Sequence, residues 1–433
     1  MRVGDIMKYF IKTFGCKVNS FESSAMASLL EEQGYLAADD DCAADLVVVN
    51  SCTVTGTGDR KTAQYLRHIR RGNPGAVIVL SGCLPQAYPE AAAALGDADI
   101  VTGTGSRLSL PALIDRFLTD HQRMIAITEN DHKDFENLTP ERHQSHTRAF
   151  LKIEDGCDRH CAYCIVPQAR GPVRSLPPDQ IAAQAERFAR AGYREIVISG
   201  INLSRYGKDL DLGLADAVRA AAVEGVERLR LGSLEPDLLP QPLLEQLAAV
   251  PALCPHFHLS LQSGCDATLR RMGRRYTVAD YLDTVARIRA LFDRPTFTTD
   301  MIVGFPGETE AEFEQSLRFV RALGLLKVHV FPYSPRPGTP AAGFPDQIPG
   351  AEKNRRAAIL SQMADEARLE TLRAFVGRPE RVILETPLAN GFGGYTDRYL
   401  PALVTGPELR RGDTVRGVIS EVRGGRCVIA VTP

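Results

Sequence analysis

Features that define membrane and secreted proteins are missing from this chain of 433 residues. No run of apolar residues approaches the length of a membrane-spanning helix, and the N-terminus, Met1–Asp5, does not begin a signal peptide. The formal net charge of -2 gives the molecule no overall positive charge with which to attract nucleic acid. We therefore expect a soluble, cytoplasmic protein with no membrane partner, in which any contact with RNA is local.

Three of the ten cysteines lie in one short loop. Cys157, Cys161 and Cys164 follow the strand-like run Phe150–Ile153. In a long chain without an export signal, cysteines indicate metal binding or catalysis rather than disulfides. A cubane iron–sulfur cluster normally takes four thiolates, so three at the spacing Cys-x3-Cys-x2-Cys would leave one iron open to a small molecule.

Two other interpretations of this loop compete with the cluster. A structural zinc ion needs four protein ligands, and the fourth could only be His160, whose place between two of the cysteines makes the geometry awkward. A redox pair would use Cys161 and Cys164 and would leave Cys157 without a role. The spacing therefore favours an iron–sulfur cluster.

Residues 1–120 alternate between strand-like and helix-like patterns, which predicts an open parallel sheet with helices on its faces. The strand-like runs are Tyr9–Ile11, Leu46–Val49, Ala76–Leu80 and Ile100–Val101, and one helical run is Ser23–Gln33. Each of the first three strand-like runs leads to a cysteine: Cys16, Cys52 and Cys83. Because ligands gather at the carboxyl ends of parallel strands, these cysteines could form a second site, with ordinary buried cysteines as the alternative.

Residues 121–146 are polar and are expected to form a linker, and a second alternating block begins at Ala149. In residues 147–376, six strand–helix units predict an open, partial (β/α)6 barrel, followed by an extended connector and a long helix. The strand-like runs are Phe150–Ile153, Glu195–Ile198, Arg228–Leu231, Phe257–Leu261, Phe297–Val303 and Lys327–Phe331, and two helical runs are Asp179–Ala191 and Val278–Leu291. Polar residues that follow these strands are expected to line one pocket, and they include Asn202, Ser233, Glu235, Gln262 and Asp300.

Residues 377–433 change in character and predict a small antiparallel β-barrel, a fold that often binds oligonucleotides. Its strand-like runs are Arg381–Leu384, Tyr399–Val404 and Val415–Val422, with a hairpin turn at Gly424-Gly425. Positive charge comes from Arg398, Arg410, Arg411, Arg416, Arg423 and Arg426, and Phe392, Tyr395 and Tyr399 could stack on bases. Acidic residues nearly offset these arginines, so a solvated barrel face is the alternative.

The cysteine loop and the segment after it, Ile165–Gly171, resemble the signature of the radical S-adenosylmethionine methylthiotransferases. The segments Thr13–Asn19, Asn50–Thr55 and Ser81–Cys83 are similar to the N-terminal domain of that family, and residues 377–433 look like its RNA-binding TRAM domain. The resemblance implies S-adenosylmethionine and two [4Fe-4S] clusters as cofactors. One cluster, on Cys157, Cys161 and Cys164, would cleave S-adenosylmethionine to a deoxyadenosyl radical, and an auxiliary cluster on Cys16, Cys52 and Cys83 would supply or carry the sulfur.

The resemblance also implies roles for residues around the predicted pocket. Arg274 is expected near S-adenosylmethionine, where it could pair with the ligand's carboxylate. Glu235 or Asp300 could bind ribose hydroxyls or balance the sulfonium. Cys265 departs from the usual family pattern and is either a spare thiol or a neutral substitution, and the cysteines that match no motif, Cys42, Cys254 and Cys427, are expected to be structural.

Members of the family act on isopentenyladenosine in tRNA, on threonylcarbamoyladenosine in tRNA, or on an aspartate of a ribosomal protein. The segments Thr13–Asn19, Leu231–Pro236 and Val328–Ser334 resemble the second group most. The resemblance thus implies tRNA as a partner and an external electron donor such as flavodoxin or ferredoxin, with no indication of the sulfur donor. The other two substrates remain alternatives, as does a non-catalytic iron–sulfur protein that binds RNA.

Overall fold

A six-stranded parallel sheet forms the N-terminal part of the molecule, in a computed structural model that describes residues 6–130, 134–140 and 147–431. The strands are β1 (Lys8–Thr13), β2 (Leu36–Ala37), β3 (Leu46–Ser51), β4 (Val77–Gly82), β5 (Ile100–Thr102) and β6 (Met124–Ala126). The helices are α1 (Lys17–Glu32), α2 (Gly56–Gly72), α3 (Cys83–Ala87), α4 (Pro89–Ala93) and α5 (Leu110–Asp120). The predictions made for Met1–Asp5 and for parts of the linker, 131–133 and 141–146, lie outside the described residues.

The strand order of this sheet is β2-β1-β3-β4-β5-β6, and every pairing is parallel. Strands β3 and β4 are buried along their whole length, as expected of strands that are covered by helices on both faces. The predicted open parallel sheet is therefore confirmed. Because β1, β3 and β4 are neighbours, the three chain segments that leave their carboxyl ends start from the same edge.

Two N-terminal elements differ from the sequence prediction. Helix α1 begins at Lys17 rather than at Ser23. The residue before it, Cys16, has an extended backbone and is the last residue of the connection from β1. The first turn of α1 is rich in polar residues, which hid its helical periodicity. Strand β6 lies inside the segment predicted to be a linker and pairs with β5. A strand of three residues is too short to give a clear alternating pattern.

The central part of the chain contains two parallel sheets and a short antiparallel pair of strands, β8 with β9, surrounded by helices. The strands are β7 (Ala149–Lys152), β8 (Glu154–Asp155), β9 (Arg174–Ser175), β10 (Glu195–Ser199), β11 (Arg228–Leu231), β12 (Ser233–Leu234), β13 (His256–Leu259), β14 (Thr296–Val303) and β15 (Lys327–Pro332). The helices are α6 (Val166–Arg170), α7 (Pro178–Arg190), α8 (Leu214–Ala221), α9 (Gln241–Ala248), α10 (Asp266–Arg271), α11 (Val278–Leu291), α12 (Glu310–Leu323) and α13 (Gly350–Arg373).

All six predicted strands of the central part are present, as β7, β10, β11, β13, β14 and β15. One sheet has the order β11-β10-β7, and the other has the order β12-β13-β14-β15. A single bridge between Leu229 and Leu253 continues the first sheet towards β13. One apolar core runs from β7 to β15 under the helices, so the strands form the open, partial barrel that the sequence predicts.

The C-terminal part is a closed five-stranded barrel in the order β16-β17-β18-β20-β19. Its strands are β16 (Pro379–Leu388), β17 (Gly391–Thr396), β18 (Pro401–Thr405), β19 (Thr414–Arg423) and β20 (Arg426–Ala430). The predicted hairpin at Gly424-Gly425 is confirmed by the pairing of Arg423 with Arg426. The barrel is not wholly antiparallel, because β18 and β20 pair in parallel.

The aromatic residues of this barrel are half-buried and make contacts that the sequence did not predict. Tyr395 and Tyr399 stack on each other with ring centroids 4.5 Å apart, and the guanidinium of Arg148 lies 5.0 Å from the Tyr395 ring. Arg230 of β11 lies 4.9 Å from the Tyr399 ring. Phe392 packs against the barrel core. These contacts fix the barrel to the central domain, whereas Arg410 and Arg416 are exposed on the barrel.

Helices of membrane-spanning length and apolarity are absent from the described parts of the chain.

Candidate active site

The cysteines of the N-terminal sheet are brought together by the strand order. Cys16 follows β1, Cys52 follows β3 directly, and Cys83 is the first residue of α3, directly after β4. Cys16 is exposed, Cys52 is half-buried, and Cys83 is buried. The three thiols therefore lie at one edge of the sheet, with two of them open to the space beyond it.

Two glycines allow this close approach. Gly15 has φ of 120°, and a Cβ added to it would lie 2.8 Å from Cβ of Cys52. Gly82 has φ of 100°, and a Cβ there would lie 2.5 Å from the carbonyl oxygen of Ser51. A side chain at either position would clash with the neighbouring loop in a backbone conformation that only glycine adopts easily. The residues before Cys16 and Cys83 are thus part of what holds the cysteines together.

The second group of cysteines lies in the loop after β7. The loop is fixed at both ends, because the Cys157 amide donates to the Gly171 carbonyl at 3.0 Å and the Ala162 amide donates to the Met272 carbonyl at 2.9 Å. His160 is exposed and has a positive φ of 49°, so it turns the chain between two cysteines. That conformation agrees with the expectation that His160 is poorly placed to be a fourth ligand.

Side-chain N–H groups point at the cysteine sulfurs of this loop. Arg274 Nη1 lies 3.1 Å from Cys161 Sγ, and Asn202 Nδ2 lies 3.6 Å from Cys157 Sγ. Donors at these positions stabilise negative charge on sulfur, as found around thiolate-bound clusters. The residues present therefore fit a metal cluster with thiolate ligands.

Without a bound metal, the protein environment disfavours ionisation of these thiols. Burial raises the pKa of Cys157 to about 11, and burial together with the neighbouring Cys161 raises the pKa of Cys164 to about 12. Burial and Cys83 likewise raise the pKa of Cys52 to about 12. Grouped thiolates need positive charge among them, and the irons of a cluster would supply it.

Both cysteine groups face one cavity with a volume of about 420 Å³. Cys16 and Cys52 line it from the N-terminal sheet, and Cys164 lines it from the loop. The opposite wall includes Gln262 and Asp300, and the aromatic residues Tyr163, Phe331 and Tyr333 complete it. A volume of this size is typical of small-molecule sites, so the two cysteine groups share a site that can hold a ligand between them.

The five predicted pocket residues and Arg274 are placed differently from one another. Gln262 and Asp300 line the cavity, and Asn202 contacts Cys157. Glu235 is paired with two arginines, since it accepts from Arg159 Nε at 2.8 Å and lies 3.2 Å from Arg274 Nη2. Ser233 is exposed on β12 and, among the described residues, makes no side-chain hydrogen bond to the cysteine loop. Glu235 and Arg274 thus hold each other beside Cys161.

Asp300 is held by histidines of the adjacent strands. Its Oδ2 lies 3.3 Å from Nε2 of His258, and the ligating atoms of His258, Asp300 and His329 lie within 4.8 Å of one another. Hydrogen bonding from His258 keeps the pKa of Asp300 below its usual range even though burial opposes this, so the carboxylate is ionised. No sequence pattern indicated the two histidines, because they precede the strand ends where site residues were expected.

A buried cluster of charges joins the N-terminal sheet to the cysteine loop, and the sequence did not predict it. Glu22 of α1 is fully buried and forms ion pairs with Arg107 and Lys152, each at 2.8 Å, and with Arg170. Asp155 pairs with Lys152 at 2.6 Å. Burial by itself would raise the pKa of Glu22, but the positive charges of these three residues lower it to about 2.

Arg170 connects this cluster to the N-terminal cysteines. Its Nε lies 3.2 Å from Cys83 Sγ, and its Nη2 donates to Asn19 Oδ1 at 3.0 Å. The thiol of Cys16 lies 3.6 Å from the same oxygen. Lys152 is a charged residue in a strand that is buried at every position, and that unusual placement is the signal in the sequence that could have indicated the cluster.

The remaining cysteines lie apart from these two groups. Cys254 and Cys427 are buried, as expected of structural residues, whereas Cys42 is exposed, and the prediction that it is structural is wrong. Cys265 is buried at the start of α10 and does not line the cavity between the cysteine groups.

Comparison with known proteins assigns this arrangement to a class. Residues 151–320 match the radical SAM superfamily, and residues 8–103 match an uncharacterized protein family, UPF0004. Among solved structures, the radical S-adenosylmethionine methyltransferase TsrM from Kitasatospora setae aligns with a TM-score of 0.57 over 78% of this chain and 77% of that chain, at 14% identity. The cobalamin-dependent S-adenosylmethionine radical enzyme OxsB aligns with a TM-score of 0.52 over 84% of this chain and 56% of that chain, also at 14% identity. At such identities the likeness establishes the fold alone, which is that of a radical SAM enzyme.

Curated relatives narrow the class. The threonylcarbamoyladenosine tRNA methylthiotransferase MtaB of Bacillus subtilis is 37% identical over 413 residues, which cover 93% of this chain and 92% of the relative. The enzyme of the same name from Thermotoga maritima is 35% identical over 94% of this chain and 93% of its own length. The tRNA-2-methylthio-N(6)-dimethylallyladenosine synthase of Parafrankia sp. is 36% identical over 95% of this chain and 87% of its own length. This chain belongs to the family of radical SAM tRNA methylthiotransferases.

Membership of this family confirms the prediction of an enzyme that uses S-adenosylmethionine and [4Fe-4S] clusters.

Proposed function

We propose that this protein transfers a methylthio group to N6-threonylcarbamoyladenosine next to the anticodon of tRNA, giving 2-methylthio-N6-threonylcarbamoyladenosine. The observation that carries the proposal is the single cavity lined by cysteines of both groups, in a chain that is 37% identical over most of its length to a relative named for this reaction. A shared cavity allows the modified base to lie between the two reacting centres.

In this proposal the two cysteine groups have different tasks. Cys157, Cys161 and Cys164 hold the cluster that binds S-adenosylmethionine, and Cys16, Cys52 and Cys83 hold the auxiliary cluster. The aromatic C–H bond that is to be modified is unreactive. When bound, the two clusters and S-adenosylmethionine supply the one-electron chemistry that breaks this bond and the methylthio group that replaces its hydrogen. An external donor such as flavodoxin or ferredoxin provides the electrons.

The protein itself contributes position and charge. Arg274 and Asn202 donate to the sulfurs of the loop, and Arg170 donates to Cys83. The aromatic side chains of Tyr163, Phe331 and Tyr333 narrow the cavity and limit the access of water. The hydroxyl of Tyr333 is buried and, among the described residues, has no hydrogen-bond partner, so it is available to a ligand.

Arg274 is a positioning residue in this scheme, because its guanidinium joins Cys161 to Glu235. We expect Arg274→Ala to weaken the binding of S-adenosylmethionine, because the cluster that binds it loses the N–H donor to Cys161, and to lower activity about 10- to 100-fold, the usual effect of removing a partner of a metal ligand. Equilibrium binding to the holoenzyme measures this, and the electron paramagnetic resonance spectrum of the reduced cluster should change with it. Arg275→Ala is the matched control, because Arg275 is exposed.

Arg274→Lys distinguishes this role from a purely structural one, because lysine keeps the positive charge but cannot contact Cys161 and Glu235 with a planar guanidinium. If affinity and spectrum were unchanged in both Arg274 variants and in Glu235→Gln, the assigned role of this pair would be wrong.

The function is tested by comparing tRNA from cells with and without the gene. After digestion of the tRNA, mass spectrometry should detect 2-methylthio-N6-threonylcarbamoyladenosine only when the gene is present, and N6-threonylcarbamoyladenosine should accumulate in its absence. The proposal would be contradicted if the gene controlled a methylthio group on dimethylallyladenosine instead, or if the tRNA were the same with and without the gene. Unchanged tRNA would direct the search to an aspartate of a ribosomal protein.

A further inference from the structure

Lys17 stands beside both the auxiliary cysteines and the cavity. It follows Cys16, which lines the cavity, and it is the first residue of α1. Its side chain is exposed, and Arg148, Arg230 and Asp300 lie near enough to act on its amine. Because Cys16 and Asp300 both line the cavity, a group bound there would lie close to Lys17.

The other cations near Lys17 already have partners. Arg148 pairs with Glu385 at 2.6 Å, and Arg230 pairs with Glu195 at 3.1 Å. Asp300, the nearest acidic group in the cavity wall, is held by His258 at 3.3 Å. Within residues 6–130, 134–140 and 147–431, no carboxylate oxygen lies within 4.0 Å of the Lys17 amine. Among these described residues, Lys17 is thus a cation without a carboxylate partner, and it lies next to a residue that lines the cavity.

The surroundings of Lys17 favour an anion. Arg148 and Arg230 lie near enough to repel the positive charge of the Lys17 amine. A carboxylate placed beside it would relieve the repulsion from the two arginines and would form a charge-assisted hydrogen bond. The N-terminus of α1 adds partial positive charge at the same place.

The two tRNA substrates named for the relatives differ in this respect. The threonylcarbamoyl group ends in a free carboxylate, whereas the dimethylallyl group is an uncharged hydrocarbon. We propose that Lys17 binds the carboxylate of the threonyl group and so selects this substrate over one with an apolar substituent. This inference rests on the proposed function and names the residue that would read its substrate.

The test uses the holoenzyme and two anticodon stem-loop RNAs, one with threonylcarbamoyladenosine and one with its methyl ester. The wild-type enzyme should favour the acid over the ester by about 10- to 100-fold in kcat/KM, the value expected for a hydrogen bond to a charged group. Lys17→Ala should lose this preference by slowing the acid selectively, and Lys17→Arg should keep most of it. Lys61→Ala, at an exposed lysine of α2, is the matched control and should behave as wild type.

Each outcome separates the inference from the proposed function. If the wild-type enzyme modified neither RNA, the proposed function would fail. If it modified the acid but Lys17→Ala kept the full preference over the ester, the role of Lys17 would be wrong while the function stood. If Lys17→Ala slowed both RNAs equally, the lysine would contact an RNA phosphate instead, which also overturns the inference. Iron content measured for each variant, with Lys17→Gln as a second neutral replacement, excludes loss of folding as the cause.

Discussion

Replacing Cys161 by alanine should abolish cleavage of S-adenosylmethionine and, with it, all methylthiolation, whereas replacing Cys52 should abolish methylthiolation and still support cleavage. The reason is spatial: Cys161 belongs to the loop after β7 and Cys52 to the edge of the N-terminal sheet, so each variant damages one site. Formation of 5′-deoxyadenosine measures cleavage, and the modified nucleoside measures transfer. Iron should fall from about eight atoms per chain to about four in each variant, as expected for the loss of one [4Fe-4S] cluster.

Cys42→Ala is the matched control for this experiment, because Cys42 is exposed and belongs to neither group. It should retain the full iron content and both activities. If Cys52→Ala kept its methylthiolation, or if Cys161→Ala still cleaved S-adenosylmethionine, the division of tasks between the two cysteine groups would be refuted.

Replacing Arg170 by methionine should have the largest effect on stability. The substitution leaves the fully buried carboxylate of Glu22 with fewer positive charges, and breaking a buried ion pair in this way costs about 3–5 kcal/mol. It also removes the donor to Cys83, so iron should be lost from the N-terminal site first. Because the chain has no tryptophan, urea unfolding is best followed by circular dichroism.

Two further variants make this prediction specific. Arg190→Met removes an exposed pair with Glu186 and should change the unfolding free energy by about 1 kcal/mol or less. Combining Glu22→Gln with Arg170→Met should cost less than the two single substitutions added together, because the same ion pair is lost in each. If Arg170→Met unfolded at the same urea concentration as the wild type, the buried charge cluster would not stabilise the contact between the N-terminal sheet and the loop.

The elements with a strong repeating pattern could be predicted from the sequence. The six strands of the central part and the helix Val278–Leu291 were found within a few residues of their positions, because runs of apolar β-branched residues and regular helical spacing reflect local burial. The prediction failed where the pattern was short or polar, as in β6 and in the first turn of α1. The parallel pairing inside the terminal barrel also escaped it, since pairing partners are not encoded locally.

In the candidate site, too, a local motif could be predicted from the sequence, whereas contacts between distant segments could not. The loop with Cys157, Cys161 and Cys164 is a local motif, and its spacing by itself favours an iron–sulfur cluster over zinc or a redox pair. The contact of Arg170 with Glu22 joins residues 148 positions apart, and no local pattern predicts it. The same is true of Tyr395 and Tyr399, whose rings suggested base stacking but lie against Arg148 and Arg230 in the structure.

The sequence by itself indicated the class of chemistry, because the spacing of the thiols favours an iron–sulfur cluster and the surrounding motifs resemble one enzyme family. Only the tertiary structure decided that the two cysteine groups share one cavity and that Lys17, next to Cys16, has no carboxylate partner among the described residues. The physical reason is that electrostatics depend on distance through space. Charges from β7, β11 and α1 act on one another only after the sheets have packed, so their balance cannot be read along the chain.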